Sequence, residues 1–165
     1  MTELQSPRQL FVDELRSALA MERTSFELLR RFEQEASYPQ LQRQLERHAR
    51  ETEQQIQNLH TAFDALGEDA NGSRNVVMDS LEQLAEQMIA RASEELVDFS
   101  ILGSLVQTEH HEIAVYDGLI IAAETTGDED LVPLFQENLE GEEQALDAAV
   151  RTAEQVSHQL ALRRS

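Results

Sequence analysis

Residues 108–116 read TEHHEIAVY and place Glu109 and Glu112 inside a segment that has the hydrophobic pattern of a buried helix. Both glutamates fall on the same helical face as the apolar residues that precede and follow them. These apolar residues are Ile101, Leu102, Leu105, Val106, Ile113, Tyr116, Leu119, Ile120 and Ala123. An uncompensated carboxylate is costly in an apolar interior, so these two glutamates raise the question of what offsets their charge.

The rest of the chain carries the same helical periodicity, and no segment alternates as a strand would. Ser6, Pro7 and Gln9 have the signature of a helix start, with Ser6 as N-cap, Pro7 as first helical residue and Gln9 as capping-box partner. Pro39 suits the start of a second helix, and Gly67 suits its end. The polar loop that follows Leu66 divides the chain into halves.

The helix lengths predict the architecture. One helix over residues 76–126 would be about 75 Å long, which is too long for a compact domain of this size, so we expect a break near residues 93–96. The predicted helices span about 7–36, 39–66, 76–92, 96–125 and 128–160. This pattern predicts an all-α four-helix bundle with an additional short crossover helix between helices 2 and 3. The 165 residues, of which 41% are hydrophobic, fit a single domain over 1–165.

Composition excludes several classes of partner. The chain has 32 acidic residues against 13 basic ones, all of them arginine, and a net charge of −19, which disfavours nucleic acid and anionic lipid. No apolar run is long enough for a membrane span, and no secretory signal or cysteine is present. We therefore expect a cytoplasmic protein without membrane or nucleic-acid partners; a salt-rich cytoplasm is a further hypothesis for the acidic, lysine-free composition.

Each of the four long helices interrupts its apolar face with polar residues near mid-length. Glu22 on the first helix and Glu142 on the fourth lie between apolar neighbours and face inward. On the second helix one side carries His48, Glu51, Thr52 and Gln55. If the helices pack as predicted, five carboxylates converge in the bundle interior.

Such a cluster has to be protonated or compensated by cations, because the chain has no lysine and the inner faces of the third and fourth helices have no arginine. Two divalent metal ions would compensate it. Glutamates and histidines from facing helices are the ligands of carboxylate-bridged dinuclear iron or manganese sites. The pairs His48/Glu51 and Glu109/Glu112 have i, i+3 spacing, which puts both members on one face, although the usual Glu-x-x-His order is not intact.

Some positions have more than one interpretation. On the second helix, the residues alone do not choose among His48, Glu51 and Gln55 as ligands. His110 flanks the inner face of the third helix, where a histidine is more often a hydrogen-bonded boundary residue, although it could also orient a ligand. Tyr116, one turn beyond Glu112, could donate a hydrogen bond to a carboxylate of the cluster.

Four segments resemble helices of the YciE/YciF family, a ferritin-like group of bacterial stress-associated proteins to which ferroxidase activity is ascribed. They are FVDELRSALAMERTSFELL, HARETEQQIQNL, TEHHEIAVYDGL and FQENLEGEE. The similarity covers roughly residues 10–150. Its most specific parts are the H-x-x-E-T-x-x-Q motif at 48–55 and the E-H-x-E-I-A-x-Y motif at 109–116.

The resemblance implies a ferritin-like bundle that binds two metal ions. The implied ligands are Glu22, Glu51, Glu109, Glu112 and Glu142, with His48, Gln55, His110 and Glu143 as further candidates. The chain departs from the family where the fourth helix usually reads E-E-K-A-T-D, because residues 140–147 read EGEEQALD. Glu142 and Glu143 therefore compete for one ligand position, and Glu142 fits the inner face better.

Three functions remain open at this point. The first is a dinuclear iron protein that consumes O2 or peroxide as a ferroxidase-type stress protein, with manganese as the alternative metal. The second is a metal-stabilised protein without turnover, and the third is a metal-free helical interaction protein. We also expect a homodimer, because apolar residues such as Val76, Val77 and Met88 lie outside the inner faces.

Overall fold

The computed structural model describes residues 3–163, which form five α-helices and no strands, so the chain has the all-α fold that its periodicity predicts. Four helices are long and one is short. They are α1 (Pro7–Glu35), α2 (Pro39–Leu66), α3 (Val76–Arg91), α4 (Val97–Thr126) and α5 (Val132–Arg163). Single turns of 3-10 helix, Glu94–Leu96 and Glu129–Leu131, precede α4 and α5.

The start of α1 is capped as the sequence predicts, with one difference. The Ser6 hydroxyl accepts a hydrogen bond from the backbone N–H of Gln9 at 3.2 Å, and Pro7 is the first helical residue. The side chain of Gln9 accepts from the backbone N–H of Gln5 at 2.7 Å. In a capping box this second hydrogen bond comes from the N-cap residue, here Ser6, whereas in this helix it comes from Gln5, the residue before it.

The start of α5 also differs from the sequence prediction. The sequence places it near residue 128, whereas the α-helix begins at Val132 after a 3-10 turn. Pro133 accounts for the later start, because proline has no N–H and is tolerated only in the first turn of an α-helix. The end of α2 agrees with its prediction, since Gly67 has a φ of +66° and closes the helix in the left-handed conformation.

The four long helices pack so that α1 and α5 each contact both α2 and α4. Contacts between helix ends show how α1 and α4 are oriented. Arg8 at the start of α1 binds Asp128, just beyond the end of α4, at 2.7 Å, while the backbone N–H of Ser37, just beyond α1, donates to Asp98 at the start of α4 at 2.8 Å. The two helices are therefore antiparallel.

Helix α3 lies on the outside of the bundle against α1 and α4. Its buried residues are Met78 and Ala85. Arg31 of α1 forms ion pairs with Glu82 and Glu86 of α3 and fixes the short helix along the long one. Among residues 3–163, no helix has both the length and the apolar composition needed to cross a membrane.

The interior consists of two apolar clusters, one toward each end of the bundle. Phe11, Phe63 and Phe135 belong to the first, in which the rings of Phe11 and Phe135 meet edge to face with centroids 6.2 Å apart. Phe32 and Leu41 belong to the second. Buried polar residues separate the clusters at mid-length. This polar layer is where the predicted ligand residues lie.

Candidate metal centre

Four glutamates lie in the polar layer, and none of them is more than 1% exposed. Glu22 comes from α1, Glu109 and Glu112 come from α4, and Glu142 comes from α5. Each lies on the apolar face of its helix, so packing of that face carries the carboxylate into the interior. The prediction that these four residues face inward is confirmed.

The second helix contributes His48, which is also buried. Its Nε2 atom lies 3.1 Å from Glu109 Oε1 and 3.6 Å from Glu142 Oε2. His48, Glu109, Glu112 and Glu142 each offer one potential ligand atom, and these four atoms all lie within 4.8 Å of one another. The arrangement is compact enough for one cation to contact all four side chains.

Buried polar atoms without hydrogen-bond partners concentrate in this cluster. Leaving such an atom unsatisfied costs about 1–3 kcal/mol, and folded proteins contain only a few of them. Among the described residues they are Glu22 Oε2, His48 Nδ1, Gln55 Oε1, Glu109 Oε2, both carboxylate oxygens of Glu112 and Glu142 Oε2. Carboxylate oxygens and an imidazole nitrogen are the donors that iron and manganese take in proteins. The residues present therefore fit a metal centre.

Hydrogen bonds hold three of the carboxylates by one oxygen each. The Tyr116 hydroxyl donates to Glu22 Oε1, and Gln55 Nε2 donates to Glu142 Oε1. His48 Nε2 pairs with Glu109 Oε1. In each case the second oxygen has no hydrogen-bond partner, so each of these three carboxylates keeps one oxygen that could bind a metal ion while its other oxygen fixes its orientation. The predicted hydrogen bond from Tyr116 to a carboxylate of the cluster is confirmed.

Two buried asparagines support this arrangement and were missed in the sequence. Asn138 Nδ2 donates to the hydroxyl oxygen of Tyr116 at 2.9 Å, and Asn58 Nδ2 donates to Asn138 Oδ1 at 2.7 Å. Asn138 donates to a lone pair of the hydroxyl oxygen, which leaves the Tyr116 proton to be donated to Glu22. The sequence does place Asn138 one turn before Glu142 on the inner face of α5, and this spacing could have identified it.

The metal-free cluster favours protonated carboxylates. Burial raises the pKa of Glu22 to about 7, against the opposing effects of the Tyr116 hydrogen bond and of His48. Burial is also the main reason why the pKa values of Glu112 and Glu142 lie well above the ordinary value of 4.5, with repulsion from neighbouring carboxylates adding to it. The metal-free centre therefore holds protons that a cation would displace.

The buried carboxylates also influence the protonation of His48. Burial lowers the pKa of His48, but attraction to Glu109 and the hydrogen bond with it outweigh burial and raise the pKa well above its ordinary value. On the other side of the ring, Glu51 Oε2 lies 3.6 Å from Nδ1. This contact with His48 is the main cause that lowers the pKa of Glu51. The imidazolium is thus the internal counter-charge of the metal-free cluster.

The remaining predicted residues lie at different depths. Glu51 does not join the buried group, since its side chain is 46% exposed at the edge of the site. Gln55 is buried and contacts Glu142 through its amide. His110 and Glu143 are exposed, each one residue along the helix from a buried glutamate. Neighbouring helical residues point about 100° apart, so neither side chain faces the cluster.

Comparison with known proteins supports the same fold. The model of a protein family described as "Domain of unknown function (DUF892)" matches residues 6–161. The structure is similar to YcfI of Rhodopseudomonas palustris, for which a structural role is suggested, with 28% identity over 89% of this chain and 94% of that one and a TM-score of 0.86.

Two further solved structures share 22% identity with the chain. The stress protein YciF of E. coli has a TM-score of 0.89 over 94% of this chain and 99% of its own. A protein of Xanthomonas campestris pv. campestris has a TM-score of 0.79 over 96% of this chain and 99% of its own. All three structures extend the likeness in fold over nearly the whole bundle.

The raised carboxylate pKa values predict that the metal-free protein loses stability as pH rises. The contribution of Glu22 is fully present below its ordinary pKa of 4.5 and is lost as pH rises toward about 7, because the folded state binds the proton more tightly than the unfolded state. Glu112 and Glu142 act with the same sign. Urea unfolding with a chelator should show the free energy of unfolding falling between about pH 5 and about pH 8.

The matched variants are Glu112→Gln and Glu143→Gln, which remove the same charge from a buried and from an exposed position. We expect Glu112→Gln to flatten the pH dependence and to be at least as stable as the wild type at the upper end, because the costliest charge is gone. Glu143→Gln should keep the wild-type slope. Equal slopes in all three proteins would contradict the assignment of the pH dependence to the buried cluster.

Proposed function

The chain belongs to the DUF892 family, and from its buried carboxylate–histidine cluster we propose that it binds two divalent metal ions and acts as a dinuclear iron protein that consumes O2 or peroxide. The observation that carries this proposal is the set of buried, unpartnered oxygen and nitrogen atoms in the polar layer. A ferroxidase-type reaction is the activity that we assign to it.

Charge favours two ions over one. The four buried glutamates carry four negative charges when ionised, and no lysine exists in the chain to neutralise them. Two divalent cations supply the matching four positive charges, whereas one cation leaves two carboxylates to be protonated or uncompensated. Neither carboxylate oxygen of Glu112 has a hydrogen-bond partner, so both would be available as metal ligands.

The positions of the donor atoms determine which residues we assign to each ion. We assign His48, Glu109, Glu112 and Glu142 to the first ion, because their donor atoms already lie together. Glu22 supplies the additional carboxylate for the second ion. Glu51 is assigned as an outer ligand that would reach the centre by rotation of its half-exposed side chain.

Iron is the metal that we propose, because a given set of nitrogen and oxygen ligands generally binds Fe²⁺ more tightly than Mn²⁺. Bound iron would supply the electron transfer to O2 or peroxide. The protein's own groups hold the ligands in place, since Tyr116 and Gln55 each fix one oxygen of a glutamate. The apolar clusters cover the polar layer toward both ends of the bundle. A role in the stress response, the description of the E. coli relative, is part of this proposal.

A second candidate function is a metal-stabilised protein without turnover, which would agree with the structural role suggested for YcfI. In that case the ions would only neutralise the buried carboxylates. A third candidate is a metal-free helical interaction protein whose inner carboxylates stay protonated. The three differ in metal content and in reactivity, so two measurements separate them.

Metal binding is the first measurement. Anaerobic equilibrium dialysis against Fe²⁺ should give two ions per wild-type chain, and Glu109→Gln or Glu112→Gln should lower this content sharply because each removes a negatively charged donor. Each bound ion should stabilise the wild type by about 2.7 kcal/mol when free metal exceeds the Kd of its site a hundredfold. Glu143→Gln is the control and should behave as the wild type. An unchanged metal content and an unchanged metal-induced rise in Tm in both α4 variants would contradict the site.

Turnover is the second measurement. Protein loaded anaerobically with Fe²⁺ and then mixed with O2 or peroxide should oxidise iron faster than free Fe²⁺ does, and Glu112→Gln should lose this acceleration. The absorbance of the ferric product gives the rate. Bound iron that is not oxidised faster than free iron would favour the metal-stabilised protein, and absence of bound metal would favour the helical interaction protein.

We also propose that the chain functions as a cytoplasmic homodimer. Val76, Val77 and Met88 of α3 are 71%, 52% and 46% exposed, which leaves an apolar surface on the outside of the bundle. Light scattering at micromolar concentration should give twice the 18.7 kDa mass of the chain. Val77→Glu, which adds a charge to this surface, should shift the mass toward that of the monomer. A wild-type mass of one chain would refute the dimer.

A further inference from the structure

A cavity of about 280 Å³ opens between α2, α4 and α5 and extends to the buried carboxylate–histidine cluster. His48 and Glu109, both buried, line its inner end. Arg47 and Glu51, both exposed, line its outer end, and Ala145 of α5 forms part of the wall. The cavity therefore joins the solvent to two of the side chains that we assign to the first ion.

Four other surface cavities of the described bundle, with volumes of about 270 to 580 Å³, include none of the buried glutamates and not His48. One of them adjoins the α2–α4–α5 cavity and shares Gln44, Arg47 and Gln144 with its lining, but it does not reach His48 or the buried glutamates. The volume of the α2–α4–α5 cavity is far above the roughly 10–15 Å³ that one water molecule needs by the same measure, so the cavity has space for a cation together with water molecules.

Three polar side chains mark the path from the surface inward. Glu51 is reached first, with one carboxylate oxygen 3.6 Å from His48 Nδ1. His48 follows, and its other nitrogen lies 3.1 Å from Glu109 Oε1. His48 Nδ1 and Glu109 Oε2 are both buried and without hydrogen-bond partners. The path thus presents donor atoms for a cation at its outer end, its middle and its inner end.

We propose that this cavity is the entrance through which divalent cations reach the cluster, with Glu51 as the first ligand and the imidazole of His48 as the group past which they move. The inference rests on the proposed metal-binding function. It accounts for the position of Glu51, which lies beside the cluster but half in solvent. The ion pair between Arg47 and Glu51 is weak, because its atoms Nε and Oε1 are 3.7 Å apart and both side chains are exposed. An incoming divalent cation can therefore replace Arg47 as the partner of Glu51.

The first test needs no metal. Diethyl pyrocarbonate modifies accessible histidines through the unprotonated imidazole, so all proteins are compared at the same alkaline pH, where part of His48 has lost its proton, and mass spectrometry gives the rate at each histidine. Ala145→Leu adds bulk to the wall and should slow the modification of His48 several-fold in the metal-free protein, while the exposed His110 and His158 react as in the wild type. Ala145→Val is the substitute if leucine at this position disturbs folding, and it should give a rate between those of the wild type and Ala145→Leu. Ala114→Leu, at an exposed position of α4, is the matched control.

The second test measures uptake of Co²⁺ by stopped-flow absorbance. We expect Ala145→Leu to slow uptake several-fold without changing the final amount bound, because it obstructs the path and leaves every ligand in place. Glu51→Gln should also slow uptake, whereas Glu53→Gln, which removes an exposed charge from the same helix, should not.

The outcomes separate the two proposals. Co²⁺ uptake at the wild-type rate in both Ala145→Leu and Glu51→Gln overturns the entrance while leaving the metal centre intact. Unchanged reactivity of His48 in Ala145→Leu overturns the entrance as well. A wild-type protein that binds no Co²⁺ refutes the metal centre and with it any entrance for cations, even if His48 reacts through the cavity.

Discussion

The cost of holding four carboxylates inside a helical bundle is the constraint on which the rest of this structure depends. Glu22, Glu109, Glu112 and Glu142 lie between two apolar clusters, where an ionised carboxylate loses its hydration. A chain without lysine can meet this cost by protonating the acids, by pairing them with His48 or by binding cations. The raised pKa values of Glu22, Glu112 and Glu142 and of His48 show that protonation and pairing operate in the metal-free protein.

Hydrogen bonds satisfy only some of the buried carboxylate oxygens, and the oxygens without a partner define the centre. Tyr116 and Gln55 each donate to one carboxylate oxygen, and Asn138 fixes the direction of the Tyr116 donor. These donors come from α2, α4 and α5, so the packing of the bundle sets the orientation of the ligands before any ion binds. The unpartnered atoms then face one another across the polar layer, which is the preorganisation that a metal centre requires.

Helical periodicity was sufficient to predict the all-α fold and the inward direction of the four glutamates, because apolar neighbours fix the phase of those helices. The break before α4 followed instead from the length limit of a compact domain. Periodicity was insufficient on α2, where residues 50–55 contain no apolar side chain to fix the phase. Packing selects His48 and Gln55 for the interior and leaves Glu51 at the edge. Asn138 was missed for a related reason, since its role depends on the position of Tyr116 on another helix.

The energetics of the cluster also bear on the choice between a metal centre and a merely structural one. Replacing buried ionic groups by apolar residues of similar size is often neutral or stabilising by about 1–4 kcal/mol, so a bundle selected only for stability has no need of four buried glutamates. Nor does a purely structural ion need a path to solvent, because it can be enclosed during folding. This chain has both the costly cluster and a cavity that reaches it from the surface at His48 and Glu109. The two features together support the proposal of a centre that exchanges ions or small molecules with its surroundings, rather than that of an ion enclosed only for stability.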